Sequence, residues 1–581
     1  MLKKRSAVLV AASAMVALTA AACGGGSSTG SDTGGTQASS KGGTLYYLTF
    51  KGSKKWDPNV IYVGAHIEFA NRMFARTLVT YPVAKTGDAA NVLLPDMATD
   101  TGRATDGGKN WAFTLKDGIK WEDGQAVTCD QVKYGVSKTF DSAYAGGPQY
   151  AKQFLDIPKD AKGSSTYAGP YLKTGQADFD KAVTCAGNII TYHLNKPVPD
   201  FNYAVAMTAF AAARPDKDKG AKGFLNIFSD GPYKLQGGVW DPAKGGTFVR
   251  NTSWDAKSDD VRKAYPDQVI WQQGIATETI YQRLIADSGN DQAAVTDRSA
   301  PAAFQGQVFS NPNVAARTVN PDAPYTDYLQ INMKRIKDPK IREAVAVATD
   351  RAAYIAAQGG DKVGTPATAM INPSVKGFKK FDPFDGAPAA GDPVKAKALL
   401  VAAGAKMPYP LVVAYPQTPT ADNAFGSMKT AWEKAGFQVK ILAQPDTDYY
   451  GNVQTPATSN GYDVMWAGWG ADWPAASTVI PPLFDSRINI QADGSSTGSD
   501  YGFYDDPETN KMMDSAFTAP SLDAAATLWG DIDERIVKDQ HAAIPLQVQK
   551  FIFTRGSKVQ NWSIQQGLGG YVDMAQIAVK H

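Results

Sequence analysis

From Gly42 onward the apolar positions fall into two rhythms, one of period two and one of three to four. GGTLYYLTF (42–50) reads as a strand, Asp57-Pro58 marks a turn, and 63–78 predicts an amphipathic helix with Ile67, Ala70, Met73 and Phe74 on one side. Trp111, Phe113 and Leu115 alternate with Ala112 and Thr114, as on a half-buried strand, and Asp117-Gly118 turns the chain into the short run 119–121. A hairpin is the simplest reading. Thr128, with Gln131 three residues on, is a capping box that opens a helix at Cys129 and carries Val132, Val136 and Phe140 inward. SDGPYKL (229–235) and FVRNTSW (248–254) follow a proline break. Regular structure resumes over 269–286, and DQAAVT (291–296) predicts a short strand leaving the first half of the fold.

The second half has cleaner punctuation. Asp338-Pro339 sets an N-cap with proline at the first helical position, opening a helix that stops at Gly359; Asp392-Pro393 repeats the device for a helix ending at Gly404. Arg342 and Glu343 read as a solvated helix face. A strand (411–416), a helix (422–436), a strand (438–445), a helix (522–540) and a long strand (544–553) complete the pattern. Helix and strand alternating at these lengths describe an α/β sheet covered on both faces. Chain crossings near 291–296 and 543–550 would form a hinge between two halves.

One stretch does not fit either rhythm: YDVMWAGWGADWPAASTVIPPLFDSR (462–487). Trp466, Trp469 and Trp473 would share a helix face, but Gly468 and Gly470 interrupt them and Pro474 closes the run, so a buried strand running into a loop is predicted. Such a strand offers backbone groups without bulky neighbours, flat indole rings and one carboxylate, Asp472. The combination suits an extended ligand carrying a positive charge. The candidate ligand residues are therefore Trp466, Gly468, Trp469, Gly470, Ala471 and Asp472, with Phe50 and Trp56 as further candidates. The alternatives are a loop aspartate capping a nearby N–H and tryptophans that are ordinary core, Trp466 above all.

Composition narrows the function. At 581 residues, 43% hydrophobic and 10% aromatic, the chain is globular and long enough for two or three domains. Lys+Arg total 59 against 57 for Asp+Glu, which gives no reason to expect nucleic acid as a partner. The 4 histidines are far apart and there is no CxxC or HExxH spacing, so no protein metal site is expected. No phosphate loop or dinucleotide fingerprint occurs, and no cofactor is expected. Gly494-Ser495-Ser496-Thr497-Gly498 fits the GxSxG of hydrolases, but it sits in a Gly/Ser loop and the pattern recurs at 26–30, so it does not argue for an enzyme.

The N-terminus carries Lys3, Lys4 and Arg5 ahead of an apolar run, 7–22, broken by Ser13 and Thr19 and ending in Ala-Ala-Ala-Cys. This describes an export signal (1–22) rather than a membrane span. Cys23 after small residues looks like a bacterial lipobox, with Ala20 where that motif more often has leucine; an ordinary cleaved signal is the alternative. The Gly/Ser/Thr-rich 23–41 reads as a flexible tether. In an exported chain the remaining cysteines, Cys129 and Cys185, are expected to pair, closing a loop of about 56 residues worth roughly 4 kcal/mol. A reactive Cys129 thiol at a helix N-terminus is the alternative.

Several motifs then occur in one order: LLPDMA (93–98), WAFTLKDGIKWEDGQAVTCDQVKYG (111–135), SDGPYKL, RNTSWD (250–255), INMKRIKDPKIREAVAVATDR (331–351) and GWGADWP (468–474). Together they make the chain resemble the family-5 extracytoplasmic solute-binding proteins of ABC importers, the oligopeptide, dipeptide and nickel-binding group. The resemblance implies an α/β, two-lobed clam of the type II periplasmic-binding-protein kind, with an extra α/β subdomain on the first lobe. The expected division is lobe I at 42–80, 200–290 and 548–581, its subdomain at 81–199, and lobe II at 291–547. It also implies that a ligand is handed to a membrane permease with no bond broken, that Asp472 pairs with a peptide's α-ammonium, and that the strand 466–471 bonds the peptide backbone. Trp473-Pro474-Ala475-Ala476 departs from the more polar residues common there and leaves the ligand subtype open. The expected protein is a monomeric lipoprotein on the extracytoplasmic face of the cell membrane, binding short peptides. An oligosaccharide or metal chelate as ligand, or a surface sensor without transport, are the alternatives.

Overall fold

Thr44–Leu48, the first apolar run, lies between Ala294–Thr296 and Gln268–Gln272, both parallel to it, and Gly246–Arg250 and Tyr233–Leu235 extend the sheet antiparallel to five strands. These strands belong to the computed structural model of the chain, which describes residues 41–580 apart from 161–164, 446–447, 491–493 and 497. The expected signal, Cys23 and the tether up to residue 40 lie outside the described residues. The predicted amphipathic helix forms as Gly64–Met73 and ends at Phe74, short of Leu78. It packs Phe69, Ala70 and Met73 against the sheet over an aromatic core in which Tyr47 stacks on Trp271 at 4.2 Å.

A second, four-stranded antiparallel sheet takes the order Arg103–Thr105, Asn110–Thr114, Ile189–His193, Val183–Ala186. The alternation of Trp111 and Phe113 is there, but the expected hairpin is not. Asn110–Thr114 pairs instead with Ile189–His193 over its full length, from Asn110 opposite His193 to Thr114 opposite Ile189. Ile119 and Trp121 go into the core as side chains, and only Lys120 bridges locally, to Ala126. A five-residue partner far along the chain outcompetes the shorter neighbour. The capping box forms with both of its hydrogen bonds and opens the helix Cys129–Lys138. Cys129 and Cys185 are disulfide-bonded, which pins that helix to the strand Val183–Ala186. Phe201, Ala204, Val205 and Phe210 pack into the same core as this sheet.

The third sheet has six strands in the order Gly364–Pro366, Ala543–Lys550, Asp322–Ile331, Val464–Gly470, Tyr409–Gln417, Phe437–Pro445. Helices Pro339–Ala348 and Pro419–Lys434 cover one face, while Pro507–Phe517 and Leu522–Glu534 cover the other. The single helix expected to run to Gly359 is two, Pro339–Ala348 and Arg351–Gln358, because Asp350 caps the second by accepting the Ala353 N–H at 2.8 Å. Arg342 is not on a solvated face. It is buried and donates to the carbonyls of Ile336, Lys337 and Gln540, satisfying groups that would otherwise be dry and unpaired.

The chain passes from the five-stranded to the six-stranded sheet after Ala294–Thr296 and returns after Ala543–Lys550. Between the two, Thr318–Val319 pairs antiparallel with Phe553–Thr554, so both crossings run side by side. The lobes are closed on one another: Trp473 and Ala475, which follow a strand of the six-stranded sheet, are buried in the core built on the four-stranded sheet.

Candidate functional site

Val464–Gly470 pairs antiparallel with Asp322–Ile331 along its whole length, from Ile331 opposite Val464 to Tyr325 opposite Gly470. Its other edge meets Tyr409–Gln417 only at Val464 and Met465. The Trp466 carbonyl faces that second edge, where it accepts the Tyr449 hydroxyl at 2.6 Å. Backbone direction alternates along a strand, so the N–H and C=O groups of Gly468 and Gly470 face the same edge. Beyond Met465 no strand among the described residues pairs with it. The glycines are also demanded from behind. A Cβ on Gly470 would sit 2.3 Å from the Tyr325 ring, and one on Gly468 would sit 3.1 Å from Asp327 Oδ1.

The strand delivers Ala471 and Asp472 to a cavity of about 350 Å³ between the lobes. Tyr62, Gly64, Ile67, Met207, Leu568 and Tyr571 line it from the first lobe; Tyr325, Gly470, Ala471 and Asp472 line it from the second. Gly64 has no room for a side chain, because its Cβ would stand 2.9 Å from the Tyr571 ring and 3.0 Å from the Tyr325 hydroxyl. The Asp472 carboxylate accepts hydrogen bonds from the hydroxyls of Tyr62, at 2.7 Å, and Tyr150. Both fall on Oδ2, and among the described residues none donates to Oδ1, which can accept from a ligand. Burial pushes the carboxyl up to about 6 against these two hydrogen bonds, which pull it down.

The tryptophans divide. Trp466 and Trp469 are half-buried and each indole N–H is already used, by the Tyr354 hydroxyl and the Thr478 carbonyl, both at 2.8 Å. Trp473 is buried and reaches across the cleft, donating to Asp200 Oδ2 at 2.8 Å while its ring meets Tyr150 edge-on at 4.5 Å. Ser477 donates to the same Asp200 oxygen. Phe50 is exposed and does not line the cavity. Trp56 is fully buried among Phe69, Phe74, Trp240 and Trp271, so its indole is part of the first lobe's core rather than a contact surface. Ser496 of the GxSxG-like loop donates to the Asp500 carbonyl. Among the described residues no cluster of His, Cys, Asp and Glu is arranged to hold a metal ion.

Sequence reasoning missed Tyr62, Tyr150, Tyr325, Tyr571 and Asp200. Each comes from a segment distant from 462–487, and no local spacing marks them. Only Tyr62, flanked by Val60, Ile61 and Val63, carries a signal: a tyrosine in an apolar run needs a partner for its hydroxyl.

The profile of the family described as "Bacterial extracellular solute-binding proteins, family 5 Middle" matches residues 92–490. The chain belongs to this family. It is a substrate-binding protein of an ABC importer, not an enzyme, and its partner is the importer's permease. This solute-binding protein is 21% identical over 536 residues to the glutathione-binding protein GsiB of Salmonella typhi, covering 89% of this chain and 94% of that one. It is similar in structure to the clavulanic acid biosynthesis oligopeptide binding protein 2, with TM-score 0.84 and 26% identity over 93% of this chain and 96% of the other. The Helicobacter pylori protein DppA in complex with the peptide STSA shares the fold, with TM-score 0.65 and 17% identity over 92% and 99% of the two chains. These neighbours bear out the type II periplasmic-binding-protein architecture, two lobes with an extra subdomain on the first. The family is extracytoplasmic, and no helix among the described residues is long and apolar enough to cross a membrane.

Proposed function

We propose that this solute-binding protein captures short peptides in the cavity at Asp472 and delivers them to its permease, while a lipid on Cys23 holds it at the membrane. The observation that carries the reading is a carboxylate with one oxygen unengaged among the described residues, beside a strand edge at Gly468 and Gly470 that no described strand pairs. An extended peptide added to that edge gains main-chain hydrogen bonds that are blind to its side chains. Its α-ammonium would reach Asp472 Oδ1. Trp466 and Trp469 support the strand, and Trp469 and Ala471 flank the peptide. The oligopeptide-binding neighbour and the glutathione-binding relatives are consistent with a ligand of this kind.

In this reading the lobes follow the expected division, with 42–80, 200–290 and 548–581 in lobe I, 81–199 as its subdomain and 291–547 as lobe II, and the crossings act as the hinge. The protein works as a monomer. Native mass spectrometry of the purified full-length protein tests the ligand: a ladder of bound masses assignable to mixed short peptides supports the reading, whereas one discrete mass matching a sugar or a chelate overturns it. Mass analysis of the mature N-terminus tests the anchor, with a diacylglyceryl group on Cys23 expected and an unmodified N-terminus contradicting it.

A further inference from the structure

Among the described residues that line the cavity, Asp472 bears the only charge. The remaining wall is tyrosine and aliphatic: Tyr62, Tyr81, Tyr325 and Tyr571 with Ile67 and Met207. No lysine or arginine of the lining could receive a ligand's carboxylate. The guanidinium whose charge is felt at Tyr571 is that of Arg298, and it is already held by Asp297 through two parallel N–H···O bonds of 2.9 and 2.8 Å. Arg72, buried in the first lobe, is likewise committed to Asp573 at 3.0 Å. A cavity of about 350 Å³ is small for a ligand site, so both ends of a short ligand stay close to Asp472. A carboxylate at the far end would give up its water, find no cation and sit in the field of a second carboxylate.

From this arrangement we infer that the cavity requires a single ammonium, carried on a small apolar or aromatic body, and that a free C-terminal carboxylate is dispensable. The substrate class is therefore short hydrophobic peptides together with their C-terminal amides and related small amines. The inference rests on the proposed ammonium role of Asp472 and adds to it what happens at the ligand's other end. The tyrosine rings suit such a body, since a cation near their faces is attracted and an apolar side chain packs against them.

The test is calorimetric titration of the full-length protein with three probes: Phe-Ala, Phe-Ala amide and N-acetyl-Phe-Ala amide. The amide is expected to bind at least as tightly as the acid, by up to about tenfold, and the acetylated amide at least about tenfold more weakly than the amide. An acid that binds more than about tenfold tighter than its amide would overturn the inference and point to a cation, Arg298 first, while leaving the ammonium role standing. An acetylated amide that binds as well as the free amine would instead overturn the ammonium role itself. Binding by none of the three would sink both.

Discussion

Asp200 offers the sharpest perturbation away from the ligand. Its carboxylate is buried on the first-lobe side and accepts two hydrogen bonds from across the cleft, Trp473 Nε1 at 2.8 Å and Ser477 Oγ. Both donors follow the strand Val464–Gly470 and lie just beyond Asp472, so the latch and the candidate ligand residue lie on one short piece of chain. When the lobes part, the carboxylate, the indole N–H and the hydroxyl all return to water. Asp200→Ala thus acts on closure more than on folding. Each hydrogen bond to a charged acceptor contributes about 1.5–3 kcal/mol, and the cost of drying the carboxylate offsets much of the pair, leaving about 1–3 kcal/mol in favour of the closed state. That corresponds to about 5- to 150-fold in the closure equilibrium. Burial raises the Asp200 carboxyl, which agrees with a sizeable drying cost and places the net effect toward the lower end. The assay is ligand affinity and dissociation rate, with small-angle scattering to follow lobe closure. A rise of about tenfold in Kd, mostly through faster dissociation, and a more open liganded form are expected. Unchanged affinity together with an unchanged scattering curve would refute the latch.

Other consequences are open to direct measurement. Gly470→Ala puts a Cβ 2.3 Å from the Tyr325 ring, so it should cost about 1–3 kcal/mol in denaturant unfolding and displace a wall of the cavity; unaltered stability would contradict the packing. Replacing Cys129 and Cys185 together should lower stability by about 4 kcal/mol in the chain-entropy account, with ligand affinity unchanged because the bridge ties the helix Cys129–Lys138 to the strand Val183–Ala186 and neither cysteine lines the cavity; a loss of binding would mean that the bridge is needed to hold Tyr150 against Asp472. Affinity for an ammonium ligand should fall as pH drops through about 6, since the groups facing Asp472 are tyrosines and not cations, and by about tenfold between pH 7 and 5. A pH-independent affinity would contradict the role of that carboxylate. Asp533 accepts the Met370 and Ile371 N–H groups in the core, and burial pushes its carboxyl up to about 7. Its raised value makes its contribution to stability fully present below the ordinary carboxylate range and lost as pH rises through about 7, so Asp533→Asn should flatten that part of a stability–pH profile.

Local chemistry was legible along the chain where the signal lies within a few residues. The capping box at Thr128, the Asp-Pro caps at Asp338 and Asp392, and the period-two run at Trp111 all form as the pattern says. What failed was pairing and partnership over distance. The strand after Asp117-Gly118 lost its hairpin to Ile189–His193, which no local rule ranks above a neighbour. Asp350 cut one expected helix into two because a second N-cap competes with continued helix, and the periodicity on either side hides it. Arg342 carries a charge, yet three carbonyls are worth more to it than water. At the candidate site, the stretch 462–487 forms the expected strand with Asp472 just beyond it at the cavity, because glycine and proline act through the local backbone. Tyr62, Tyr150 and Asp200 stayed hidden because they meet that stretch only when the lobes close.

The account turns on whether Asp472 pairs with a ligand's ammonium, and a double-mutant cycle measures this most directly. Wild type and Asp472→Asn are each titrated with a free-amine peptide amide and its N-acetyl counterpart, with thermal unfolding confirming that both proteins are folded. The expected result is a coupling of at least about 1.4 kcal/mol: the free amine loses about tenfold or more on Asp472→Asn, while the acetylated ligand, already weak, barely changes. Losses that simply add, or a free amine that binds both proteins alike, would contradict the pairing.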